Sequence, residues 1–108
     1  MKRGDLVTVS LQGDYGKPRP AVVLQANLFA DHPSVTVLPV TSELRATPLF
    51  RVTLEAGGKT GLRKASQVMV DKAVTLPRDK IGPTFGQIDA KAMAEIDRCV
   101  AVFFGIAK

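Results

Sequence analysis

The sequence predicts a mainly β (α+β) fold: a small, strongly bent sheet or half-open barrel of five or six short strands, with one C-terminal amphipathic helix packed against its open side. Three observations predict it. Apolar residues recur with period two in short runs as far as Leu76. Glycine and proline interrupt those runs. Beyond Asp89 the apolar spacing changes to three and four, the period of a helix.

The first strand is read from Leu6-Val7-Thr8-Val9-Ser10-Leu11, where Val7, Val9 and Leu11 share one face and Thr8 and Ser10 the other. The second, Val22-Val23-Leu24, is continuously apolar and suits a strand covered on both sides. Residues 26–30 allow one helical turn before Asp31-His32-Pro33 breaks it. A third strand runs over Val35-Thr36-Val37-Leu38-Pro39-Val40, with Pro39 near its end. In the fourth, Phe50, Val52 and Leu54 alternate with Arg51 and Thr53, and Gly57-Gly58 supplies the following turn. Val68 and Val70 alternate with Gln67, Met69 and Asp71 in a fifth, and a short sixth around Ala73–Leu76 stops at Pro77. The helix takes Asp89 as its N-cap, carries Met93, Ile96, Val100 and Phe103 on one stripe, and ends at Gly105.

The 108 residues are expected to form one domain, 1–108, with no repeat, linker or low-complexity tract. No apolar run approaches the length of a membrane span, and the start of the chain lacks the apolar segment of a secretory signal. The single Cys99 has no internal disulfide partner, which fits a reducing cytoplasm. Net charge is +5, and residues 1–88 hold 12 Lys/Arg against 7 Asp/Glu whereas residues 89–108 hold 3 of each. The basic excess therefore lies outside the helix, and it suits either a polyanion such as nucleic acid, an acidic protein, or plain solubility.

Several chemistries are excluded. One His and one Cys cannot supply a zinc site, and neither a phosphate-binding P-loop nor a G-x-G-x-x-G turn is present. His32, in a proline-containing loop, reads as a solvated histidine, and Cys99, near Ile96 and Phe103, as a small core residue. Phe104 falls off the helix's apolar stripe and is free to reach a partner subunit.

What remains is a pair of polar loops beside strand ends. Lys17-Pro18-Arg19-Pro20 holds a guanidinium between two prolines, which stiffen the backbone on both sides of it. Pro39-Val40-Thr41-Ser42 brings two hydroxyls to the end of the third strand. An arginine and a threonine held near each other suit a phosphodiester, the one neutralising charge on non-bridging oxygens and the other hydrogen-bonding a phosphate oxygen. The plainer alternatives are an Arg19 salt bridge to Asp5 or Asp14 and a Thr41 hydroxyl that caps its own loop.

In this order and at this length, Arg3-Gly4-Asp5-Leu6-Val7, Gly16-x-x-Arg19-Pro20-Ala21-Val22-Val23-Leu24 and Val37-Leu38-Pro39-Val40-Thr41-Ser42 resemble the MazF/PemK/Kid-type toxin endoribonucleases of bacterial toxin–antitoxin pairs. The resemblance continues through Gly61-Leu62, Ser66-Gln67-Val68, Val70-Asp71-Lys72 ahead of Thr75-Leu76, and the closing Phe104-Gly105-Ile106. It implies a homodimer of SH3-like half-open barrels, with five to seven strands and a C-terminal helix. It implies cleavage of single-stranded RNA without metal or cofactor, by attack of a ribose 2′-OH that leaves a 2′,3′-cyclic phosphate and a 5′-hydroxyl. Arg19 and Thr41 fall on the family's catalytic arginine and threonine, and Gln67 on a residue that touches RNA; for Gln67 an ordinary solvent-facing strand position is the alternative.

Lys17 and Ser42 flank the pair and are candidate phosphate contacts. Arg45, with Arg63 and Lys64, is expected to steer RNA, and Tyr15, the one tyrosine, is a candidate for base stacking or for loop packing. The protein partner implied is a cognate antitoxin, acidic and partly disordered, docked on the basic groove. The gyrase-poisoning CcdB toxins resemble the same fold and end in a similar aromatic-Gly-Ile tail; under that alternative the chain would bind a protein and cleave nothing.

Overall fold

A computed structural model describes residues 1–11 and 17–107. Asp5–Ser10 (β1) and Pro18–Val23 (β2) form an antiparallel pair, and β2 pairs in turn with Ser34–Thr41 (β3). The far edge of β3 is shared by two strands. Val74–Pro77 (β6) pairs with its first half, and Ser66–Met69 (β5) pairs with Val40 and Thr41 at its end. Arg51–Leu54 (β4) extends the sheet beyond β5, and Ile81–Gln87 (β7) lies against the free edge of β1. The order is β4-β5-β3-β2-β1-β7 with β6 branching from β3, so seven strands make one bent, unclosed sheet. A helix over Ala90–Phe103 (α1) completes the mainly β fold.

The apolar pattern explains why the central strands are covered on both faces. Leu6, Val22, Leu38, Val40, Val52 and Val68 turn to one side and pack with Ile96 and Cys99 of α1. Val7, Val9, Ala21, Val23, Val35 and Val37 turn to the other, inside the curl formed with Val74, Leu76 and Ile81. The continuous run in β2 is therefore buried on both sides, as its lack of alternation predicts.

Three elements differ from the sequence reading. Strand β5 stops at Met69, and Val70–Lys72, expected to continue it, form a 3-10 turn. Strand β2 starts earlier than expected, at Pro18, so Arg19 lies within the strand and is paired with Val9. Strand β7 lies beyond the expected strands, since Gly82, Pro83 and Gly86 break its alternation; its pairing with β1 contains two register shifts.

The helix is delimited as expected. Asp89 accepts a 2.8 Å hydrogen bond from the Ala92 amide. At the other end Gly105 (φ 77°) turns the chain, and the Gly105 and Ile106 amides donate back to the Val102 and Ala101 carbonyls. Cys99 is fully buried, as a core residue should be. Phe103 is half-exposed, tilted against Phe50 with ring centroids 6.2 Å apart, and the exposed Phe104 meets its edge. No helix among the described residues is long and apolar enough to cross a membrane.

Candidate active site

The site is built where β2 and β3 part. Their ladder pairs Val23 with Val37, Val22 with Leu38 and Ala21 with Pro39, and it stops there, where neither Pro20 nor Pro39 has an N–H to donate. Arg19 and Thr41 each lie two residues beyond the last pair, at the end where the two strands diverge. On its other edge Thr41 is paired with Gln67 of β5, and Gln67 with Thr53 of β4. Paired residues of antiparallel strands share a face, so Val40, Val68 and Val52 enter the helix-side core while Thr41, Gln67 and Thr53 form a polar row on the opposite face. Arg19, in register with Val9 and two residues from the inward-facing Ala21, belongs to that face too.

Arg19 is exposed and Thr41 half-buried. The Thr41 hydroxyl oxygen accepts a 3.1 Å hydrogen bond from the Glu43 amide, so the capping role weighed from sequence is present. That bond leaves the hydroxyl proton available to a phosphate oxygen, since a threonine hydroxyl donates as well as accepts.

Lys17, Ser42, Arg63 and Lys64 are exposed. Arg45 is exposed as well, but its guanidinium is ion-paired with Glu43, two residues earlier on the same turn. Tyr15 lies outside the described residues. Among the described residues no three His, Cys, Asp or Glu side chains gather into a metal-binding group.

Gln67 requires a correction. Alternation correctly turns it away from Val68, but it is only 7% exposed and does not face solvent. The turn after β3 closes over it. Its Oε1 accepts from the Arg45 amide at 2.9 Å and from Arg51 Nη1 at 3.1 Å, and its Nε2 donates to the Arg45 carbonyl at 2.9 Å and to Thr53 Oγ1 at 3.2 Å. All four hydrogen-bonding positions of the amide are thus occupied. Arg51 Nη1 also donates to the Glu43 carbonyl at 2.9 Å. Sequence reading passed over Arg51 and Thr53 as ordinary outward strand positions. The only available signal was their alternation with Val52 and Leu54, which gives a face but no partner.

A family model for PemK-like, MazF-like toxins of type II toxin–antitoxin systems matches residues 2–104. The chain belongs to this family. It is 40% identical over 108 residues to a probable endoribonuclease MazF of Mycolicibacterium smegmatis, with 99% of each chain covered.

Among solved structures, an endoribonuclease bound to its cognate antitoxin, from a mycobacterial species, superposes with a TM-score of 0.84 at 20% identity, covering 100% of this chain and 98% of the other. That likeness concerns the fold. A MazE–MazF structure from Deinococcus radiodurans gives a TM-score of 0.79 at 25% identity, with 99% and 97% covered. Relatives named as endoribonucleases favour RNA cleavage over gyrase poisoning for this MazF-like chain.

Proposed function

We propose that this MazF-like toxin is an endoribonuclease that cuts single-stranded RNA, messenger RNA included, at short sequence motifs and without metal or cofactor. What supports the reading is that the last β2–β3 pair, Ala21 with Pro39, leaves Arg19 and Thr41 each two residues beyond it at the same end of the two strands, in a chain of this family. RNA supplies its own nucleophile. The 2′-oxygen bonds to the adjacent phosphorus as the bond to the 5′-oxygen breaks, and the proton given up by the 2′-hydroxyl is matched by one taken up at the leaving oxygen. The products are a 2′,3′-cyclic phosphate and a 5′-hydroxyl, and DNA, lacking the 2′-hydroxyl, is not a substrate. Arg19 neutralises the charge that grows on the non-bridging oxygens, and Thr41 donates its hydroxyl proton to one of them. Lys17 and Ser42 contact flanking phosphates, and Arg63 and Lys64 draw RNA in.

The same reading makes the protein a cytoplasmic homodimer restrained by an antitoxin of acidic, partly disordered chain, as the antitoxin complexes of its structural neighbours suggest. The test is cleavage of a long single-stranded RNA in excess EDTA, beside the same strand carrying a single 2′-deoxy nucleotide at the mapped cut. Scission leaving cyclic-phosphate ends, abolished by the one deoxy substitution, is the expected result. Cleavage of the deoxy strand, or a requirement for added metal, would refute the mechanism.

A further inference from the structure

Every hydrogen-bonding position of the buried Gln67 amide is spent inside the protein, and two of its four bonds go to one residue, Arg45, through that residue's amide and carbonyl. A side chain that bonds both backbone groups of one residue acts as a short strand partner and fixes that stretch of turn in position and direction. Arg51 reinforces it. One nitrogen, Nη1, bridges the Glu43 carbonyl and Gln67 Oε1, so the turn is held at Glu43 and again at Arg45. The chain of contacts ends on the Glu43 amide, which donates to the Thr41 hydroxyl oxygen. Gln67 is at the same time the direct cross-strand partner of Thr41, so the clasp and the hydroxyl it serves are anchored to one pair of the sheet.

We infer that Gln67 and Arg51 are positioning residues for RNA cleavage: they hold the Glu43–Arg45 turn so that the Glu43 amide fixes the direction of the Thr41 hydroxyl. The inference rests on the RNA-cleaving reading above and assigns Gln67 a role different from contact with RNA. Such a residue acts on the rate of the bound complex. A misplacement of about 1 Å at a reacting group costs on the order of 10²-fold in rate.

The test is the steady-state cleavage of one RNA by wild type, Gln67→Ala, Thr41→Val and the double variant, with thermal unfolding of each. Gln67→Ala should lower kcat roughly 10–100-fold while KM stays within about twofold. In the Thr41→Val background the same substitution should have no further effect on kcat, because it acts through the hydroxyl already removed. Should Gln67→Ala fold poorly, Gln67→Glu keeps the volume and the Arg51 contact but loses the hydrogen bond to the Arg45 carbonyl. It should show the same pattern to a smaller degree. An unchanged kcat in a folded variant would overturn the inference. So would a loss confined to KM, or one that adds fully to Thr41→Val, since either makes Gln67 an RNA contact or a purely structural residue. A wild-type protein that leaves RNA intact would overturn the functional reading itself, and that arm is read separately.

Discussion

Gly86 and Thr60 are in backbone contact: a Cβ added to Gly86 would lie 2.1 Å from the Thr60 carbonyl oxygen and 2.8 Å from that of Lys59. The turn over Gly58–Thr60 is therefore seated directly on β7. Neither carbonyl can rotate away as a side chain would, so Gly86→Ala forces a backbone shift. It should cost about 1–3 kcal/mol, seen as a lower urea midpoint at unchanged slope.

The same contact explains the strand that sequence reading missed. Period-two alternation detects a strand by its side chains, and β7 is held in part by having none: a Cβ on Gly82 would lie 2.1 Å from Thr8 Oγ1. The strands with a buried Val or Leu at alternate positions were legible, and so were the helix and both its caps. Gln67 was half legible. Its face followed from Val68, but its cover comes from a turn more than twenty residues earlier, a contact that no local pattern encodes. Arg19 and Thr41 stand out from chemistry and resemblance, and their placement at the same end of β2 and β3 follows only from how those two strands pair.

The Asp89 cap predicts a modest, local loss. Asp89→Ala removes the acceptor for the Ala92 amide and should cost about 1 kcal/mol, whereas Asp89→Ser should recover most of it. Thermal unfolding of the three proteins checks this, with RNA cleavage per folded molecule unchanged.

Burial raises the Cys99 thiol above its ordinary value; the neighbouring Arg98 opposes that shift and Glu95 adds to it. The folded state thus resists thiolate formation. The associated stability is complete below the ordinary thiol range, roughly pH 8.5, and declines as pH rises through the folded thiol's higher value. Unfolding by urea at rising pH should show this alkaline decline in wild type, and Cys99→Ala should lack that component. A decline of equal size in Cys99→Ala would assign it to other groups.

Charge pairing separates the basic residues by their effect on RNA binding. Each phosphate contact to single-stranded RNA contributes about 0.7 to the slope of log affinity against log salt. Lys17→Ala should reduce the slope by about that amount. Arg45→Ala should change it less, because Arg45 is already ion-paired with Glu43. Equal reductions would mean that RNA displaces Glu43 from Arg45.

A role for Arg19 at the scissile phosphate is checked by single-turnover cleavage at saturating RNA with wild type and Arg19→Ala. Removal of one preorganised charge-stabilising donor should lower the rate about 10²–10³-fold in a protein that remains folded and still binds RNA. A folded Arg19→Ala protein that cuts bound RNA as fast as wild type would remove Arg19 from the chemistry.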